Sequence, residues 1–129
     1  MDRVFSLAEA NRLIPRLEEC LTAVRQGKAD LVRTKDEIRK ASAKAALGGG
    51  SVAGAHYVRA LEQISRALHD IREIGVHLKD LDLGLCDFPY EHEGRIVYLC
   101  WRAGEAEIKW WHEMSSGYKE RQPLEGAGL

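Results

Sequence analysis

Apolar residues at Ile14, Leu17, Leu21, Val24, Leu31 and Ile38 fall on three- and four-residue steps, the repeat of one helix face, with Lys28 and Lys35 filling the two remaining positions. The pattern predicts a coiled-coil seam with two polar interruptions. Ser6 followed three residues later by Glu9 is a capping box, and Phe5 just outside it is placed as a hydrophobic staple, so the helix starts there. Pro15 comes too late to be a first-turn proline and predicts a kink near residues 11–15. Four glycines between Leu47 and Gly54 carry too much backbone entropy for a helix interior and predict a turn. No lysine follows them, as a phosphate-cradling loop would need. Tyr57, Leu61, Ile64, Leu68 and Ile71 then repeat the seam, and Gly75 is placed to cap the second helix. Together these elements predict a long antiparallel, coiled-coil-like helical hairpin over roughly residues 6–75.

Beyond Gly75 the period drops to two. Val76 and Leu78 alternate with His77 and Lys79, and Leu81, Leu83 and Leu85 alternate with Asp80, Asp82 and Gly84, which reads as extended chain. Pro89 limits strand pairing locally, Glu93-Gly94 supplies a turn, and Arg95 to Trp101 is a strong β run. Gly104 to Glu107 reads as the acidic start of a short C-terminal helix that carries Ile108, Trp111 and His112 toward one side. The expected fold is α+β, one domain over residues 1–129, with a compact sheet-plus-helix end at roughly 76–123. A two-helix hairpin buries one stripe per helix, and Val32 and Cys20 lie off the seam. A second copy is the simplest cover, so a homodimer is expected.

Composition narrows the function. With 19 basic and 20 acidic side chains the net charge is -1, which provides no overall field for nucleic acid or an anionic membrane. The basic run Arg33, Lys35, Arg39, Lys40 and Lys44 is broken by Asp36 and Glu37 and reads as a solvated helix face. No apolar run approaches the ~18 residues of a membrane span, and the N-terminus lacks a signal-peptide core, so a cytoplasmic protein is expected. Cys20, Cys86 and Cys100 are widely spaced, which suits a reducing compartment. Cys86 and Cys100 fall on facing strands, where a disulfide, a shared ligand role or two buried thiols are the alternatives.

Residues 85–118 hold seven of the nine aromatic residues, all three tryptophans and two of the three cysteines, so any chemistry is expected there. If the alternation runs through Gly84, Asp87 shares a face with Leu81, Leu83 and Leu85, and a buried carboxylate needs a partner. His112, at the end of the run Trp110-Trp111-His112, is the foremost choice, ahead of Arg95, Arg102, Arg121, Tyr98 and Tyr118. A metal reading takes Asp87, His112 and Glu105, with Cys100 as a further donor, for a divalent ion with zinc first. On a helix Glu105 and His112 would stand two turns, about 10 Å, apart and would have to reach the ion from both ends. The competing reading is a buried hydrogen-bond network from Asp87 to a histidine or arginine that fixes the sheet. Trp101 and Arg121 complete the candidate pocket, which would take a divalent metal or a small anionic ligand. Hydrolysis by metal-activated water is then the first reaction to test. The alternative is an interaction module without chemistry. His56, His69, His77 and His92 read as helix-face, loop or outward-facing residues.

The same residues carry a family likeness. The stretches Gly84-Leu85-x-Asp87-Phe88-Pro89, Tyr98-Leu99-Cys100-Trp101-Arg102-x-Gly104-Glu105, Ile108-x-x-Trp111-His112 and Gly117-Tyr118-x-x-Arg121-Gln122-Pro123 resemble the prokaryotic family called domain of unknown function 2203. The opening Phe5-Ser6-Leu7-x-Glu9-Ala10-Asn11-x-Leu13-Ile14-Pro15 resembles the start of the same family. The resemblance implies a small bacterial protein built as a helical hairpin plus a sheet, and it assigns no catalytic residue.

Overall fold

The computed structural model describes residues 3–42 and 52–129. Two helices, α1 (Leu7–Ser42) and α2 (Val52–Ile74), precede five strands: β1 (His77–Asp80), β2 (Leu85–His92), β3 (Arg95–Arg102), β4 (Trp110–Glu113) and β5 (Gln122–Pro123). The strands form one antiparallel sheet in sequence order. The fold class is α+β. The glycine-rich turn expected at 47–54 lies outside the described residues up to position 51, and residues 52–54 open α2. No helix among the described residues is long and apolar enough to cross a membrane.

The chain divides into two compact units, Cys20–Asp70 and a second made of Met1–Glu19 with Ile71–Leu129. In the Cys20–Asp70 unit, α1 and α2 lie side by side. A Cβ built on Gly27 would sit 2.5 Å from Ile64 Cγ1 and 3.2 Å from the Ala60 carbonyl oxygen, and Gln63 Nε2 donates to the Ala23 carbonyl at 2.9 Å. The buried line on α1 runs Leu17, Leu21, Val24, Gly27, Thr34. The two interruptions expected at Lys28 and Lys35 are therefore displaced: both lysines are exposed, and Gly27 and Thr34, one residue earlier in each case, face inward. A three-residue step from Val24 to Gly27 shifts the stripe, because only glycine allows the helices this close and the Thr34 hydroxyl is satisfied by the Asp30 carbonyl at 2.7 Å. On α2 the buried positions are Ala60, Ala67 and Ile71, while Leu61 is 45% exposed. Of the expected seam Tyr57, Leu61, Ile64, Leu68 and Ile71, Ile71 is buried and Ile64 meets Gly27, while Ala60 and Ala67 are buried in place of Leu61 and Leu68.

In the sheet unit the capping box forms as expected, with Glu9 N donating to Ser6 Oγ at 3.0 Å and Ser6 N to Glu9 Oε1 at 3.1 Å. The Phe5 ring meets Phe88 edge-on at 5.3 Å between centroids, and its N–H donates to the Pro89 carbonyl. Asn11 and Glu18 accept hydrogen bonds from the Ile108 and Gly104 amides, tying the loop after β3 to α1. Pro15 lies inside α1, whose assigned span continues through it. Gly75 ends α2 in the left-handed region at φ +98°, donating back to the Arg72 carbonyl, while Arg3 reaches the Ile74 carbonyl at 2.9 Å.

Two expectations for the sheet need correcting. The alternation does not run through Gly84. Residues 81–84 form a turn, pinned by Asp80 Oδ1 accepting from Leu83 N at 2.9 Å and with Gly84 at φ +67°, so of the three leucines only Leu85 shares a strand with Asp87. The short C-terminal helix is absent as well. Trp110–Glu113 is strand β4, and the one helical element after β3 is a 3₁₀ turn at Tyr118–Glu120. Consecutive bulky aromatic residues suit a pleated surface packed on both sides, and β4 finds β3 on one edge and β5 on the other. The acids expected to favour a helix start are engaged otherwise, since Glu105 accepts from the Arg102 amide at 2.7 Å. Between β2 and β3, Glu93 (φ +50°) and Gly94 (φ +80°) form the two-residue turn that the Glu-Gly pair predicted.

Candidate metal centre

Pairing register decides which side chains share a face. Asp87 on β2 stands opposite Cys100 on β3, Cys100 opposite Trp110 on β4, and Tyr98 opposite His112. Directly opposed residues point to the same side, so Asp87, Tyr98, Cys100, Trp110 and His112 share one face. Cys86 pairs with Trp101 one step away and therefore belongs to the other face, with Phe88, Leu99 and Trp111. This separates Cys86 from Cys100, and all three cysteines are buried thiols outside any disulfide. It also removes Trp101 from the candidate pocket: it is fully buried, and its indole N–H donates to the Glu105 carbonyl at 2.8 Å.

Asp87, Cys100 and His112 are all buried and bring one ligand atom each to within 4.8 Å of one another. His112 Nε2 lies 3.0 Å from Asp87 Oδ1, and its Nδ1 lies 2.8 Å from the Glu113 carbonyl oxygen. A carbonyl only accepts, so Nδ1 carries a proton. Nε2 is thereby aimed at the Asp87 carboxylate. Burial pushes the Cys100 thiol up to about 11, the Asp87 charge adds to the rise, and a hydrogen bond from Arg121 opposes it. Tyr98 and His112 rings pack at 5.4 Å, which holds the imidazole plane.

Glu105 is not among these donors. Its carboxylate binds Arg121 through contacts of 3.0 and 3.2 Å, and the same guanidinium stacks on Trp110 at 4.7 Å and Tyr118 at 4.5 Å. The acid thus anchors the cation that hydrogen-bonds the Cys100 sulfur. The three donors open on a cavity of about 260 Å³ whose walls include Lys79, Leu85, Tyr98, Met114 and Tyr118. Lys79, not singled out in the sequence, sits where the β1–β2 register slips between Leu78 and Asp80, and its ammonium lies 5.7 Å from the Tyr98 ring centre. No sequence motif marks such a bulge. His77, expected to point outward, is half-buried, stands opposite Asp87 and packs against Tyr98 at 5.5 Å.

No curated protein and no solved structure matches the chain. A family model does match it, over residues 3–124, and the chain belongs to that family, described as an uncharacterized conserved protein (DUF2203).

Proposed function

We propose that this chain is a divalent-metal-binding protein whose ligands are Asp87, Cys100 and His112. The observation that carries the reading is the histidine's hydrogen bonding. Nδ1 is held by a backbone carbonyl, which aims Nε2 at a buried carboxylate with a thiol beside it. A metal-ligating imidazole is oriented in this way by its outer nitrogen, and a cation beside Nε2 and Asp87 would be held by both. One nitrogen, one oxygen and one sulfur donor favour zinc, and three protein ligands leave a fourth position toward the cavity. Water in that position would be acidified, and hydrolysis is the chemistry such a centre supports.

Metal content by plasma mass spectrometry, on untagged protein purified without chelator, tests the reading. Near-stoichiometric zinc or another divalent ion is expected, and it should fall to background in His112→Ala, Asp87→Asn and Cys100→Ser. Metal-free wild type, with His112→Ala merely less stable, would leave a buried Asp–His hydrogen bond that only supports the sheet.

A second reading, self-association without chemistry, is favoured by one observation in the Cys20–Asp70 unit. Val32, Val58 and Leu61 are 73%, 52% and 45% exposed, and a second copy would cover such side chains. Light scattering behind a sizing column should give twice the monomer mass for wild type and the monomer mass for Leu61→Asp. A monomeric wild type would discard this reading.

A further inference from the structure

Resting on the metal reading, we infer that the cavity beside the centre takes a small organic monoanion, an apolar or aromatic body carrying a carboxylate, with the carboxylate lodged between the metal's open position and the Lys79 ammonium. Three observations lead there. The first is charge. A divalent ion with the Asp87 carboxylate and the Cys100 thiolate is neutral, so Lys79 leaves one positive charge for a ligand to balance. The neighbouring cations are otherwise engaged: Arg121 is bound by the Glu105 carboxylate at 3.0 Å, and Arg102 donates to the Tyr118 hydroxyl at 3.1 Å. Lys79 has the Tyr98 ring beside it and no carboxylate within ion-pair distance among the described residues.

The second observation is the backbone that delivers Lys79. His77 stands opposite Asp87, and strand alternation puts Lys79, two residues on, on the same face, next to the register slip between Leu78 and Asp80. The Lys79 side chain is one wall of the cavity. The third is the largely apolar character of the rest of the wall, which Ser116 and Gly117 complete. Leu85, Tyr98, Met114 and Tyr118 are apolar or aromatic, and Met114, at 61% exposure, leaves a large apolar side chain uncovered beside it. A phosphate dianion calls for forked guanidinium donors or a helix N-terminus, and this cavity is lined by neither.

The test uses the full chain loaded with cobalt(II), whose visible spectrum reports the occupant of the fourth position. Benzoate, acetate, benzamide and inorganic phosphate are titrated separately. Benzoate is expected to change the spectrum and to bind about tenfold more tightly than acetate, while benzamide leaves the spectrum unchanged. Lys79→Met should weaken benzoate about tenfold at unaltered cobalt affinity. A silent benzoate titration, equal binding of benzamide, phosphate binding tighter than benzoate, or a Lys79→Met variant identical to wild type would each overturn the inference and leave the metal reading standing. Failure to take up cobalt at all would overturn both.

Discussion

At the scale of single residues, His112 is the informative one, because both of its ring nitrogens face an acceptor, a carbonyl and a carboxylate, and a neutral ring can donate to only one of them. Cys100 has a complementary constraint. With its thiol pushed up to about 11 by burial, it is neutral at pH 7 in the metal-free protein, and binding a divalent ion as thiolate releases a proton. Calorimetric titration with zinc in buffers of different ionisation enthalpy should therefore show about one proton released per ion near pH 7, and Cys100→Ser should abolish that release. The helix start offers a second residue-scale test. The Ser6 backbone N–H holds the Glu9 carboxyl below its ordinary 4.5, so the cap is complete above that value and is lost as pH falls through the lowered one. The Ser6 amide resonance should report this transition at a pH below 4.5. A shift centred at or above that value would contradict the cap.

At the scale of elements, two positions show where local pattern and packing disagree. The heptad count put Lys28 on the seam, and tertiary contact put Gly27 there, with no room for a methyl group beside Ile64. Gly27→Ala should gain intrinsic helix propensity yet destabilise the protein by roughly 1–3 kcal/mol, measured by urea unfolding, because the overlap with Ile64 and the Ala60 carbonyl outweighs that gain. At the β2–β3 turn the balance runs the other way. Glu93 adopts φ +50°, a conformation disfavoured for a residue with a long side chain, and the turn type prefers asparagine there. Glu93→Asn should stabilise by up to about 1 kcal/mol. Loss of stability in that variant would mean the Glu93 side chain makes a contribution larger than the backbone strain it causes.

At the scale of the whole molecule, all three tryptophans lie in the unit formed by Met1–Glu19 and Ile71–Leu129, as do the three proposed ligands. Tryptophan fluorescence therefore follows the unit that metal would stabilise. With zinc at about 100 times its dissociation constant, the unit should gain about 2.7 kcal/mol, a rise on the order of 10 °C in melting temperature. An excess of chelator should reverse it, and His112→Ala should show no response. A wild-type melt indifferent to both would remove the thermodynamic basis for the metal reading.

Much of this fold was legible in the chain because its signals are local. A capping box, a C-terminal glycine, a Glu-Gly turn and a run of β-branched and aromatic residues each act over a few positions, and each formed where the sequence placed it. The mistaken elements were those where local pattern allowed two answers. Glu105 to His112 could be an acidic helix start or a loop leading to a strand, and the edge of β3 decided in favour of the strand. The leucines from Leu81 to Leu85 could continue one strand or reverse it, and the Asp80 side chain bonded the reversal. By itself, then, the sequence determined the α+β class, the start of α1, the end of α2, the β2–β3 turn and the choice of Asp87 and His112 as residues in need of partners. Only the tertiary structure decided that Cys100 stands with them while Glu105 binds Arg121, that Trp101 faces the other way, and that Lys79 on β1 lines the same cavity. The physical reason is that strand register is set by pairing across the sheet, and a shift of one residue exchanges every side chain between its two faces.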